Sequence, residues 1–229
     1  NAGKIGVKIY SSVIGPVTSG SVPDGFGGGG AGSGGGGSSF SPGGAMPIFT
    51  LPNTAGNFKP PEEYIFSDVP RTHWSAASIY KLVEVGVITR DESRIFRLND
   101  NISREELIKM IVTALGIEGG DDGFTDMDDS HWAYKYASAA KAAGIVTGYK
   151  DGSFRGGQFI TREELAVILK RALDYRGGWR GSVNLPIDFA DRNEISDFAI
   201  ESIDEISAMG GINGTPDGLF MPGANATRA

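Results

Sequence analysis

The chain repeats itself, and that limits its folds more than any single motif does. FSDVPRTHWSAASIYKLVEVGVIT begins at Phe66 and FTDMDDSHWAYKYASAAKAAGIVT at Phe124, 58 positions later. The offset holds without a gap for His73/His131, Trp74/Trp132, Gly86/Gly144, Phe96/Phe154 and Arg104/Arg162. A third copy begins at Phe189; there Phe220 and Arg228 lie 66 positions beyond Phe154 and Arg162, with one added residue between Phe189 and Phe198. Such a period means one supersecondary unit used several times, each copy unable to bury its apolar face alone.

Each unit reads helix, loop, helix. Ile79, Leu82 and Val83 recur at helical spacing, which predicts a first helix over about Ser75 to Val85, stopped by Gly86. Its counterparts are expected over about Ala133 to Ala143 and Ser196 to Met209. The second helix starts at Ser103 or Thr161, each followed three residues on by Glu106 or Glu164, which is the capping-box spacing. Leu107, Ile108, Ile111 and Leu115 then form one apolar stripe, as do Leu165, Ile168, Leu169 and Leu173. The third copy stops at Thr227-Arg228-Ala229, so its second helix is expected to be missing and apolar surface left bare.

The region before Phe66 has another character. Ile5, Val7 and Ile9 alternate in KIGVKIY, a short strand that reads as the tail of an upstream region over 1–24. Residues 25–65 form a Gly/Pro-rich linker, and GFGGGGAGSGGGGSSFSPGG within it has too few side chains to repay the entropy of ordering. GxGxxG occurs there without the strand and helix that a phosphate loop needs, so it carries no weight. Domains follow at 66–123, 124–188 and 189–229, the last truncated. The start at Asn1, without Met or a signal peptide, reads as that of a fragment.

The formal net charge of -7 removes an electrostatic case for nucleic acid. The absence of Cys excludes disulfides and thiolate metal sites. No apolar run reaches the roughly 18 to 20 residues of a membrane span, so no membrane insertion is expected. His73 and His131 stand in separate loops without a third ligand at metal spacing and read as helix-start hydrogen bonders. Asp126-x-Asp128-x-Ser130 begins like a calcium loop but has His131 and Ala137 where the Gly and the bidentate Glu belong. Glu163 and Glu164 are adjacent on a helix, and Glu164 is taken by the cap, so they do not make a glycosidase pair. No nucleophile, base and orienter converge, so neither catalysis nor a cofactor nor a metal is expected in the repeats.

The repeats resemble the S-layer homology (SLH) domain, whose pattern is F-x-D-V, H-W-A, an apolar helix ending at G-I-V, then G-Y-x-D-G-x-F and I-T-R-A-E. The second repeat carries Phe124, Asp126, His131-Trp132-Ala133, Gly144-Ile145-Val146, Gly148-Tyr149-Lys150-Asp151-Gly152, Phe154 and Ile160-Thr161-Arg162-Glu163-Glu164. The first repeat has SREE at its second helix and TRDESRIF in place of the glycine loop. The third has Phe198 where Trp is usual, and no preceding His. The resemblance implies an all-α, pseudo-threefold module of helix-loop-helix repeats around a central three-helix bundle, with grooves between neighbouring repeats. It implies a secreted, cell-wall or S-layer location and non-covalent anchoring through an acidic secondary cell wall polysaccharide, commonly one carrying pyruvate ketals. S-layer lattice neighbours are the alternative partners, and a missing upstream enzyme is the alternative cargo.

Arg104, Arg162 and Arg228 occupy the first turns of their helices, where positive charge is mildly unfavourable. Each either pairs with Asp68, Asp126 or a neighbouring Glu, or forks onto a ligand carboxylate with help from the helix N-terminus. The resemblance favours the ligand for Arg104 and Arg162, and favours the groove built mainly from the first two repeats. Trp74 and Trp132 either stack on a sugar ring or fill the repeat junction. Asp68 and Asp126 join the candidates as caps or Arg partners, and Lys150 as a second positive contact.

Overall fold

The computed structural model describes residues 66–89, 91–179 and 183–229, so the expected N-terminal strand and linker lie outside the described residues. Five α-helices follow: α1 (Ala76–Glu84), α2 (Arg104–Leu115), α3 (Tyr134–Ala142), α4 (Arg162–Tyr175) and α5 (Ile200–Ala208). The described residues are helical and contain no extended strand, only three isolated bridges.

The second helices begin where the capping boxes place them. Ser103 Oγ accepts from Glu106 N and Glu106 Oε2 accepts from Ser103 N, and Thr161 and Glu164 do the same for α4. Each box satisfies two of the donors a helix start leaves unpaired, and replacing such a cap by Ala costs about 1 kcal/mol. The first helices end at Gly86, Gly144 and Gly210, all left-handed at φ 71 to 76°, the conformation that only glycine adopts without strain.

The helix of the third repeat starts later than the sequence suggests, at Ile200 instead of Ser196. Ala199 N donates to Ser196 O in a turn, and Ala133 N donates to His131 Nδ1 in the turn that precedes α3. The S-D-F-A segment is therefore the counterpart of S-H-W-A and not helix. The added residue is absorbed just before it, in a 3-10 turn at Arg192–Glu194 that buries Ile195.

Packing runs between repeats. Helix α2 lies along α3 and α4 along α5, each pairing the second helix of one repeat with the first helix of the next. A continuous core joins Ile102 to Ala226 and includes the expected stripes, with Leu107, Ile108, Ile111, Leu165, Ile168, Leu169 and Leu173 buried and Leu115 partly so. A separate cluster holds Phe66, Val69, Ile79, Tyr80, Leu82, Phe96 and Leu98 around α1.

The segments just before the second helices close on one another. Ile102 N donates to Ala226 O (3.0 Å), Ala226 N to Ile160 O (2.9 Å), and Ile160 N to Ile102 O (3.2 Å). Each repeat is donor once and acceptor once, and the cycle returns to its starting residue. One step further along, Arg104 N, Arg162 N and Arg228 N donate to Gln158, Ala224 and Asp100 carbonyls.

Candidate functional site

The loop after the first helix of each repeat is braced by one acidic side chain. Asp126 accepts from Phe154 N (2.7 Å) and Arg155 N (2.8 Å). Asp68 does so from Phe96 N and Arg97 N, and Asp191 from Phe220 N and Met221 N. Two charge-assisted bonds to consecutive amides hold Arg97, Arg155 and Met221 at φ 57 to 62°, a conformation that costs L-residues roughly 1 to 2 kcal/mol. Burial works against the charge on Asp126, and the two loop amides outweigh it, lowering its pKa below the ordinary value. This corrects the expectation that Asp68 and Asp126 cap a helix start or pair with the Arg side chains. The sequence signal was present, since the Asp of F-x-D stands 28 residues before Phe96 and Phe154 and, with the added residue, 29 before Phe220.

Those braced loops present a Phe ring to the Arg of the preceding repeat. The Arg104 guanidinium lies 5.3 Å from the centroids of both Phe154 and Tyr149, Arg162 lies 4.9 Å from Phe220, and Arg228 lies 5.0 Å from Phe96. The three Arg side chains thus span the three repeat junctions. Their hydrogen bonding differs. Arg228 donates Nε to Phe96 O (2.9 Å) and Nη1 to Glu106 Oε1 (2.8 Å). Arg162 donates Nε to Phe220 O (2.7 Å), while its buried Nη2 has no acceptor among the described residues. Arg104 has its Nε buried without an acceptor, and its Nη1 is 3.6 Å from Glu164 Oε1, beyond hydrogen-bond range.

Arg162, a candidate for the ligand carboxylate, does not lie open at the surface: it is 2% exposed, and burial pushes its pKa down to about 10, with the Asp191 charge opposing. Nor do the helix N-termini offer open amides to an anion, because the first N–H groups of α2 and α4 already donate to loop carbonyls of the next repeat. The carboxylates facing Arg104 and Arg228 are Glu164 and Glu106, the capping-box residues of the following repeat, and not Asp68, Asp126 or a sequence neighbour.

The aromatic question resolves toward the surface. Trp74 is 38% exposed, Trp132 48% and Phe198, at the equivalent place in the third repeat, 60%. None fills a junction. Trp132 stands beside His131, whose Nε2 lies 3.8 Å from Glu105 Oε2, so the tryptophan flanks the junction spanned by Arg104. The histidines act at the helix starts: His73 Nδ1 is 2.8 Å from Ser75 Oγ, and His131 Nδ1 accepts from Ala133 N.

Tyr149 also meets a second cation, which the motif reading passed over. The Arg155 guanidinium lies 4.1 Å from the Tyr149 ring centroid and donates to Asp151, while the Tyr149 hydroxyl donates to Glu164 Oε1 at 2.6 Å. Burial, then the Glu164 bond, raises the Tyr149 pKa. Lys150 is exposed on the adjoining turn. Glu163, where the family pattern has Ala, accepts from Ser196 N and Oγ and ties α4 to the third repeat. Among the described residues no cluster of three or more His, Cys, Asp or Glu could hold a metal ion, and no helix is long and apolar enough to cross a membrane.

A family model for the S-layer homology domain matches residues 65–108, 123–166 and 188–229, one match for each repeat with its braced loop. The chain belongs to the S-layer homology domain family. Similar proteins include an endoglucanase of Bacillus sp. (strain KSM-635), 35% identical over 166 residues. That match covers 71% of this chain and 17% of the endoglucanase. A cellulosome-anchoring protein of Acetivibrio thermocellus is 29% identical over 141 residues, covering 59% of this chain and 31% of that protein. A surface-layer 125 kDa protein of Lysinibacillus sphaericus is 29% identical over 143 residues, covering 62% and 12%. The SLH chain therefore spans less than a third of the length of these relatives.

Proposed function

We propose that this SLH module is a non-catalytic anchor that holds a larger exported protein at the bacterial cell surface by binding an acidic secondary cell wall polysaccharide. The observation that carries the reading is Arg104: a guanidinium 5.3 Å from two aromatic rings, with Nε unpartnered and no carboxylate within hydrogen-bond distance among the described residues. A planar fork with unused donors suits a ketal or uronate carboxylate. Trp132 at the same junction offers a sugar ring an exposed apolar face, and Lys150 and Arg155 add positive charge at its rim. Arg162 supports the second junction from inside, and Asp68 and Asp126 serve the site by fixing the loops that carry the stacking Phe residues. The closed cycle of main-chain bonds supports a pseudo-threefold arrangement of the repeats around a three-helix bundle. The names of the relatives, which include a cellulosome-anchoring protein and a surface-layer protein, support anchoring. Repeated junctions on a polymer of many chains raise effective concentration, so a weak single site suffices to retain a protein on a wall.

The test is co-sedimentation with purified wall polysaccharide. Arg104→Ala and the charge-retaining Arg104→Lys are both expected to lose most binding, because Lys lacks the fork, while circular dichroism stays unchanged. Full binding by a folded Arg104→Ala protein overturns the assignment. Retention by walls stripped of polysaccharide would place the module instead among protein-lattice contacts.

A further inference from the structure

We propose that Asn213–Gly214 is a self-modifying site, at which the main chain converts the asparagine to aspartate and isoaspartate without an enzyme and so ages the third repeat. This is a property of one loop and holds whatever the module binds.

The chemistry needs an exposed carboxamide and, on the next residue, an amide that is neither crowded nor hydrogen-bonded. The Gly214 nitrogen attacks Asn213 Cγ, the Cγ–Nδ2 bond breaks, and the proton lost by the attacking amide leaves with ammonia. The succinimide so formed then takes up one water. Opening at Cγ gives aspartate, whereas opening at the Asn213 main-chain carbonyl leaves the chain running through Cγ as isoaspartate, one methylene longer.

Asn213 meets these requirements. It is exposed on a segment without regular structure, and neither its carboxamide nor the Gly214 amide has a hydrogen-bond partner among the described residues. In the whole chain it is the one asparagine followed by glycine, which has no side chain to hinder the attack. The amides that follow Asn99, Asn101, Asn193 and Asn225 are already engaged, donating to the Arg97, Ala226, Asp191 and Ile160 carbonyls. Asn184 is followed by Leu185, whose side chain crowds the attacking nitrogen.

The fold imposes the glycine and leaves the asparagine free to vary. A Cβ on Gly214 would lie 2.7 Å from Leu219 O and 2.8 Å from the Phe189 ring, and one on Gly148, its counterpart in the second repeat, 2.6 Å from the Phe124 ring. Both loops therefore need glycine where the chain passes the ring. The residue before it is Thr147 in the second repeat and Asn213 in the third, so the reactive pair arises in the third alone. Its place makes the added methylene matter. Phe189 meets Phe220 at 5.3 Å, and Phe220 O accepts from Arg162 Nε. Lengthening the chain at Asn213 moves Gly214 against that ring pair and loosens the junction that buries Arg162.

The experiment incubates the full chain under native, mildly alkaline conditions and maps its peptides by mass spectrometry, with enzymatic methylation to mark isoaspartate. Asn213 is expected to be lost first, ahead of Asn184, with both products in its peptide. Asn213→Thr, which carries the residue of the second repeat, should abolish conversion there. Aged protein should lose amide-exchange protection at Phe220 and Met221, whose amides donate to Asp191, whereas Asn213→Asp, with the charge but not the methylene, should keep it. The site is overturned if Asn213 stays intact in the native chain, whether or not it converts in urea, or if Asn184 converts as fast. Conversion that leaves protection at Phe220 and Met221 unchanged overturns the link to the Arg162 junction.

Discussion

The first half of the first repeat and the body that follows it contain the same local unit in different surroundings. In both, a Phe pair meets across the loop, Phe66 tilted on Phe96 at 5.3 Å and Phe124 stacked on Phe154 at 5.0 Å, and an Asp braces the second Phe. The second unit is roofed by α2 and merges into the core that runs from Ile102 to Ala226. The first is centred on α1, which has no comparable helix lying along it among the described residues, and its apolar side chains form a separate cluster. The difference teaches that the loop geometry is local to each repeat, whereas the stability of a repeat is lent by its neighbour.

The sharpest way to break this comparison is to delete the equivalent ring in each half. Phe154→Ala should cost about 3 to 5 kcal/mol and lower amide-exchange protection across α2, α3, α4 and α5 together. Phe96→Ala should lose protection over residues 66–98 while α4 keeps its own. Equal loss of protection in α4 from both variants would mean the two clusters unfold as one.

The loop braces come next. Asp126→Ala removes two charge-assisted bonds and should cost about 2 kcal/mol, with Asp68→Ala costing less because its loop is already more exposed. Since the folded pKa of Asp126 is lowered, its contribution is present above the ordinary carboxylate range and is lost as pH falls through the folded value. The parent should therefore lose stability on acidification more steeply than Asp126→Ala in parallel denaturant melts at neutral and acid pH.

The smallest effect concerns the first loop alone. Arg94 sits at φ 52°, where Gly152 and Gly218 stand in the other repeats at φ 78° and 77°. Arg94→Gly relieves a left-handed side chain at some cost in chain entropy, for a net gain of about 0.5 kcal/mol. A thermal melt should show a small rise confined to the first cluster, and Gly152→Arg should reverse the sign in the second.

Much of this was legible because it is local. The capping boxes needed only Ser103 with Glu106 and Thr161 with Glu164, three residues apart, and the helix stops needed only the recurrence of Gly86 at Gly144 and Gly210. The later start of α5 was hidden because Asp197 and Phe198 do not look like the His131 and Trp132 they replace. The position of Arg162 was hidden for a different reason. Hydrophilicity argues for the surface, but a carbonyl 58 residues away and a Phe ring brought by the next repeat make burial of a guanidinium tolerable. The groove lined by Asn99, Phe159 and Arg228 has no linear signature at all, since each of the three comes from a different repeat, and all three meet only when the third repeat returns to the first.

That return is the main-chain cycle through Ile102, Ile160 and Ala226. A solenoid adds or sheds units at its ends, and its copy number drifts with little consequence for the units that remain. Here each unit has both its neighbours already assigned, so a fourth copy finds no vacant donor or acceptor, and the loss of one opens the circle.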